Sequence, residues 1–223
     1  MRERRGPKPP VDARRDEREG FLSRVLTKLN SLWVRATYPF AGLGRGVEFH
    51  YASEIARYLA PRLCFGNGVV IGRNAWLTCG MEDQHEIKIN IEDDCRIGAG
   101  CSITCKNSIL LERGVVLAPG VLVMDHGHAY EDVNRPIKMQ GPTPGGRIRI
   151  GEGCRIGEGA TIVCERGELV LGRNCVVAPD AVVVRSVPAN SQISGNLARS
   201  AQNPDSSGPA PGLGGGKLAR QEH

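Results

Sequence analysis

The 223 residues, 40% of them apolar and 24% charged, suffice for one packed domain with tails and exclude a globally disordered chain. Aromatics make up only 4% while glycine reaches 29 residues, so tight turns and small side chains must carry the packing. The net charge of +5 is mild and partly gathered in the head MRERRGPKPPVDARR, which argues against nucleic acid as a partner, and no apolar run reaches the ~18 residues that span a bilayer.

Residues 1–19 form a basic head, rich in Arg, Pro, Asp and Glu, that is expected to be disordered. It carries charges without an apolar stretch beside them, so a secretory signal is not expected. A cytoplasmic, reducing setting for the eight cysteines is the consequence. Residues 20–46 make a helical segment. Leu22, Val25, Leu26, Leu29, Leu32, Trp33 and Ala36 share one face of a 3.6-residue period, with Arg24, Lys28 and Arg35 elsewhere on the turn. Two readings stand: the helix docks onto the domain formed by residues 47–199 and covers its open end, or residues 20–40 make a peripheral contact with the inner face of a membrane.

Residues 47–199 contain an internal repeat. Aliphatic residues recur at six-residue steps in sets: Ile71 and Leu77; Ile91, Ile97 and Ile103; Leu111, Leu117 and Val123; Ile150, Ile156 and Ile162; Leu171, Val177 and Val183. Three positions after nine of these stand Asn74, Asp94, Gly100, Gly114, Gly120, Gly153, Gly159, Asn174 and Asp180, the residue types that tolerate positive φ. The next residue is always small and apolar: Ala75, Cys95, Cys101, Val115, Val121, Cys154, Ala160, Cys175 or Ala181. Each unit therefore reads as a short strand with one side chain pointing in, followed by a left-handed corner. Cys95, Cys101, Cys154 and Cys175 read as core filler. Three hexads make one triangular coil of 20 or 21 residues, except that a loop, 124–147, leaves after Val123 and returns at Ile148. A long loop in a regular solenoid is a functional candidate. Residues 200–223 are a Pro/Gly/Ser-rich tail, expected to be flexible.

Periodicity gives a parallel β-helix but not its hand. The hexads Ile150-Gly-Glu-Gly-Cys-Arg and Ile156-Gly-Glu-Gly-Ala-Thr resemble the hexapeptide-repeat acyltransferases, and this resemblance implies an all-β, left-handed parallel β-helix. The segment Leu32–Gly44 ahead of the first coil is similar to acetyltransferases of exopolysaccharide biosynthesis of the colanic-acid type.

The loop holds Asp125, His126, Gly127, His128, Glu131 and Asp132. Acyl transfer from a thioester to a hydroxyl needs a general base for the hydroxyl proton, and imidazole is suited to that role near neutral pH. The stretch Leu117-Ala-Pro-Gly to Gly127-His128 resembles the maltose and galactoside O-acetyltransferases, and the match places their catalytic base on His128, with His126 as the competitor. The resemblance also implies acetyl-CoA as co-substrate. Arg185 and Arg199 would meet its phosphates or adenosine end, and Glu158, Pro179 and Val184 its pantetheine arm or adenine. Where the galactoside enzymes hold sugar with an acidic residue, this chain has Cys105-Lys106-Asn107, so a different saccharide or sugar-derived acceptor is expected. The resemblance further implies a homotrimer with the site in the cleft between chains.

The expected activity is acetyl-CoA-dependent O-acetylation of a sugar or saccharide precursor, with N-acetylation of an amino sugar as the alternative. No metal site is expected. A γ-carbonic-anhydrase-like zinc protein would need a third converging imidazole, for which only His85 is at hand, and a non-catalytic solenoid would leave the loop histidines without a task.

Overall fold

The computed structural model describes residues 20–80 and 86–195, together with the backbone of 199–202. His85 and His223, the head 1–19 and the tail beyond 202 lie outside the described residues. The helix α1 (Phe21–Thr37) leads into a solenoid of short parallel strands on three faces.

Face A stacks β1 (Gly42–Leu43), β4 (Leu63–Phe65), β7 (Ile89–Ile91), β10 (Ser108–Leu111), β13 (Gly145–Ile150) and β16 (Arg166–Leu171). Face B stacks β2 (Glu48–Phe49), β5 (Val70–Ile71), β8 (Arg96–Ile97), β11 (Val116–Leu117), β14 (Arg155–Ile156), β17 (Val176–Val177) and β19 (Ser191–Ser194), then β20 (Arg199–Gln202). Face C stacks β3 (Glu54–Ile55), β6 (Trp76–Cys79), β9 (Ser102–Cys105), β12 (Leu122–Met124), β15 (Thr161–Val163) and β18 (Val182–Val183). Every pair is parallel except β19 with β20, where Ser194 faces Arg199 across an antiparallel ladder. The architecture is a left-handed parallel β-helix of about six turns.

The hexad logic accounts for the corners. All nine residues expected to adopt positive φ do so, from Asn74 at 53° to Gly120 at 72°. The residue after each corner is buried, as are the aliphatic residues that open the units, Ile71 through Val183. Cys95, Cys101, Cys154 and Cys175 are all at most 1% exposed and unpaired, and burial pushes the thiols of Cys95 and Cys101 up to about 12 and about 11.

At both ends strands lie outside the residues in which the repeats are seen. The first strand begins at Gly42 rather than 47, because the opening coils use Phe49 and Phe65 where later coils use aliphatic residues. Phe40, Phe49 and Phe65 form an aromatic plug, with ring centroids 5.2–5.6 Å apart. At the far end β20 crosses the boundary between 199 and 200.

The helix α1 caps the open end, and it does so with its polar side. The outermost strand, β2, has backbone groups with no strand beyond it. Ser31 Oγ accepts from Phe49 N at 2.8 Å, and Asn30 Nδ2 donates to Phe49 O at 3.2 Å. These side chains satisfy an edge that an apolar face would have left unpaired. Val34 is the one buried residue of the helix, and the leucine-rich face points away from the coils.

Candidate active site

The corner between faces C and A is where the coils depart from regularity. The chain leaves face C at Met124, and the loop 125–144 returns as β13. Met124 is in register with Thr104 and Val163, so the next residue, Asp125, takes the inward position that Cys105 and Cys164 take on the adjoining coils. A carboxylate thus stands in a column otherwise filled by buried thiols: Cys79, Cys105 and Cys164.

Asp125 is 0% exposed, and a buried carboxylate needs hydrogen bonds for its oxygens. Oδ1 accepts from Lys106 N at 2.6 Å, and Oδ2 accepts from Asn107 N at 2.7 Å and Ser108 N at 3.0 Å. Cys105 Sγ lies 3.4 Å from Oδ2. Burial, and then the Asp125 charge, push that thiol up, so it is a neutral S–H that donates to the carboxylate. The turn Cys105-Lys106-Asn107 therefore serves as the cradle of Asp125.

The remaining bond of Oδ1 goes to His126, whose Nδ1 lies 3.0 Å away. A carboxylate only accepts, so Nδ1 carries the proton and Nε2 presents its lone pair. The His126 side chain is 17% exposed, half-sunk at the mouth of the corner. Beyond it Gly127 is buried between strands of the loop: its N–H donates to Thr143 Oγ1 at 2.8 Å, and its carbonyl accepts from Thr143 N at 2.9 Å. A Cβ at Gly127 would collide with the Glu165 carboxylate, so Glu165 lines the same corner one coil on. Lys106 Nζ donates to Thr143 O at 2.6 Å, and Arg166 pairs with Glu131 at 2.8 Å, holding the loop to the coils on both sides. His128 is exposed, with its backbone bridged to Pro142.

Arg185 follows β18 at the same C–A edge, two coils beyond Asp125, or about 10 Å at the usual strand spacing. Val184 beside it is 48% exposed. Glu158 and Pro179 stand on the opposite edge of face C, at consecutive coils, where Glu158 O accepts from Asp180 N at 2.8 Å. Face C thus joins the two groups. Arg199 belongs to β20 by its backbone; its side chain lies outside the described residues. Of the other histidines, His50 is buried in the first coil, its Nδ1 accepting from Ala52 N at 3.1 Å. Among the described residues no helix is long and apolar enough to cross a membrane.

Sequence reasoning singled out His126 and His128 and named the turn Cys105-Lys106-Asn107, but it missed the supporting role of Lys106 and missed Thr143 and Glu165 altogether. None of these occupies a hexad position whose residue type signals a role. The one available signal was Asp125 itself, an acid at an inward position.

No family model matches the chain. It is 30% identical over 163 residues to the "Probable acetyltransferase Rv3034c" of Mycobacterium tuberculosis, a match covering 72% of this chain and 49% of that protein. The chain therefore spans about half the length of that relative. In structure it is similar to AntD, an N-acyltransferase from Bacillus cereus in complex with dTDP and 3-hydroxybutyryl-CoA, with a TM-score of 0.64 and 16% identity over 78% of this chain and 87% of that one. A variant of AntD in complex with dTDP-4-amino-4,6-dideoxyglucose and coenzyme A aligns with the same TM-score of 0.64. The acetyltransferase domain of PglB from Neisseria gonorrhoeae aligns with a TM-score of 0.50 and 19% identity, over 80% of this chain and 67% of that one. In its repeat, its register and its coils, the chain is a hexapeptide-repeat left-handed β-helix, similar in sequence to an acetyltransferase.

Proposed function

We propose that this protein transfers an acetyl group from acetyl-CoA to a hydroxyl of a saccharide or sugar-derived acceptor, with His126 as general base. The observation that carries the reading is the Asp125–His126 pair: a buried, fully bonded carboxylate fixing the tautomer of an imidazole that is partly exposed at the loop corner. A hydroxyl is a poor nucleophile until its proton is accepted as it attacks, and an oriented imidazole supplies that acceptor. The thioester arrives already activated, so no enzyme nucleophile is needed. Nε2 of His126 would take the hydroxyl proton as the acceptor oxygen attacks the acetyl carbonyl. The imidazolium, steadied by Asp125, would return the proton to the departing thiolate. His128, exposed on the same loop, is the second candidate for the base.

For acetyl-CoA the residues present fit: Arg185 offers an exposed cation to phosphate at the edge that holds His126, Arg199 follows in β20, and Val184, Pro179 and Glu158 border the stretch of face C between them. That face supports the homotrimer reading as well. From Trp76 through Leu122, Met124, Val163 and Val182 to Val184 its outward positions carry no charge, as an interface between copies requires. Three copies in a ring would set the loop of one beside the coils of the next.

A second reading, N-acetylation of an amino sugar, is favoured by the likeness to AntD, whose variant was solved with dTDP-4-amino-4,6-dideoxyglucose. Incubation with acetyl-CoA and a panel of free sugars, nucleotide sugars and their amino forms, read by mass spectrometry, tests both. Acetylation confined to amines would replace the hydroxyl reading, and no acetylated product from any acceptor would overturn the enzyme reading.

A further inference from the structure

We infer that α1 is a membrane-surface helix, laid on an anionic lipid bilayer by the face it turns away from the solenoid. A helix docked on a globular body normally buries its apolar stripe and exposes its polar one. Here the arrangement is reversed. Asn30, Ser31 and Val34 face the coils, while Leu22 (69% exposed), Leu29 (58%), Leu32 (64%) and Trp33 (56%) stand in solvent together with Phe21 (85%). Thus large apolar side chains lie side by side along a helix of 17 residues, an unusual concentration for a surface without a partner.

Charge selects the partner. Between Gly20 and Val47 the only charged residues are Arg24, Lys28, Arg35 and Arg45. Arg24, Lys28 and Arg35 lie along one flank of the apolar stripe, between it and the docked side. Lys28, Arg35 and Arg45 converge on a groove of about 340 Å³ between α1 and the first coil, with Leu32 on its rim and Glu48 on its wall. Arg35 is held there by a bond from Nη2 to Gly44 O at 2.6 Å. An aliphatic and tryptophan stripe edged by cations, with no acid along the helix, is the pattern that seats a helix at the headgroup boundary of anionic lipid.

The test uses the full chain and flotation with vesicles of phosphatidylcholine alone or mixed equally with phosphatidylglycerol. The chain is expected to float with the mixed vesicles and to bind phosphatidylcholine about ten-fold less or weaker still. The double variant Leu29→Glu/Leu32→Glu changes only exposed positions, so it should keep its melting curve and lose the flotation. Arg24→Glu/Lys28→Glu should lose the preference for phosphatidylglycerol. Failure of the full chain to float with either vesicle, or equal flotation of Leu29→Glu/Leu32→Glu, would overturn the inference. So would a drop in molar mass of that variant by light scattering without lipid, which would make the face an interface between copies.

Discussion

Asp125 and His126 are consecutive in the chain and bonded in space, Oδ1 to Nδ1 at 3.0 Å, with the acid wholly buried and the imidazole half-sunk at the mouth of the same corner. The carboxylate belongs to the core by position and to the loop by function, so its removal should be felt in both.

Replacing His126 by Ala should lower kcat by about 100-fold or more, the scale of a lost general base, with acetyl-CoA affinity and thermal stability nearly unchanged. His128→Ala should cost less. Steady-state kinetics with binding measured by calorimetry separate the two, and the reverse order would assign the base to His128.

Asp125→Asn should damage stability and turnover together. One amide N–H₂ would face N–H donors of Lys106, Asn107 or Ser108, at a cost of about 1–3 kcal/mol, or roughly 2–12 °C in a domain of this size. With the N–H₂ at the Oδ1 site, beside Lys106 N, the imidazole would also lose the acceptor that fixes its tautomer. A variant with unchanged Tm and full turnover would show that the carboxylate holds neither the turn nor the ring.

Arg185→Ala should raise the Kd for acetyl-CoA by about ten-fold, the loss of one charge-assisted contact, and leave kcat near its original value. The wild-type affinity should weaken with added salt, and the variant's should do so less. Equal affinities at all salt concentrations would remove Arg185 from the phosphate site.

Leu122→Asp or Met124→Asp places a charge on the part of face C between Trp76 and Val184, whose outward positions carry none, and should split the proposed homotrimer, with activity lost in step. Light scattering against turnover checks the link. Mixing His126→Ala chains with Arg185→Ala/Arg199→Ala chains should restore part of the activity, because some interfaces then join two intact halves. A fully active monomer contradicts the shared site.

The buried thiols give a pH dependence of stability. Burial raises the Cys95 and Cys101 thiols to about 12 and about 11 in the folded chain, while an unfolded thiol ionises near ~8.5. The unfolded state thus sheds protons first as pH rises, so stability is full below about 8.5 and falls as pH climbs toward about 12. Tm should drop between those limits, and the Cys95→Ala/Cys101→Ala variant should drop less.

The solenoid could be read from sequence because each corner imposes its own requirement on one residue. Asn74, Asp94 and Gly100 were recognisable as left-handed positions before any coordinates, and all three have φ between 53° and 66°. The capping by α1 was half legible. That a helix covers the open end came from the need to close a solenoid, but which side it uses was decided by the bare backbone edge of Phe49, a demand that hydrophobic periodicity does not record. The site was legible in its histidines and not in its support. Thr143 and Lys106 meet through a side chain and a carbonyl 37 residues apart, a pairing set by loop closure rather than by any local pattern.

The loop's two ends meet within one hydrogen bond: Gly146 N donates to Asp125 O at 2.6 Å and lies 3.1 Å from Cys164 O. The coil is therefore already closed beneath the loop, and β10 pairs with β13 as though nothing had been inserted between them. Closing a longer or shorter segment across that junction changes the free energy only slowly with length. Residues 127–144 thus behave as an exchangeable module on an invariant prism. Selection can rewrite what the loop recognises without asking the coils to fold differently.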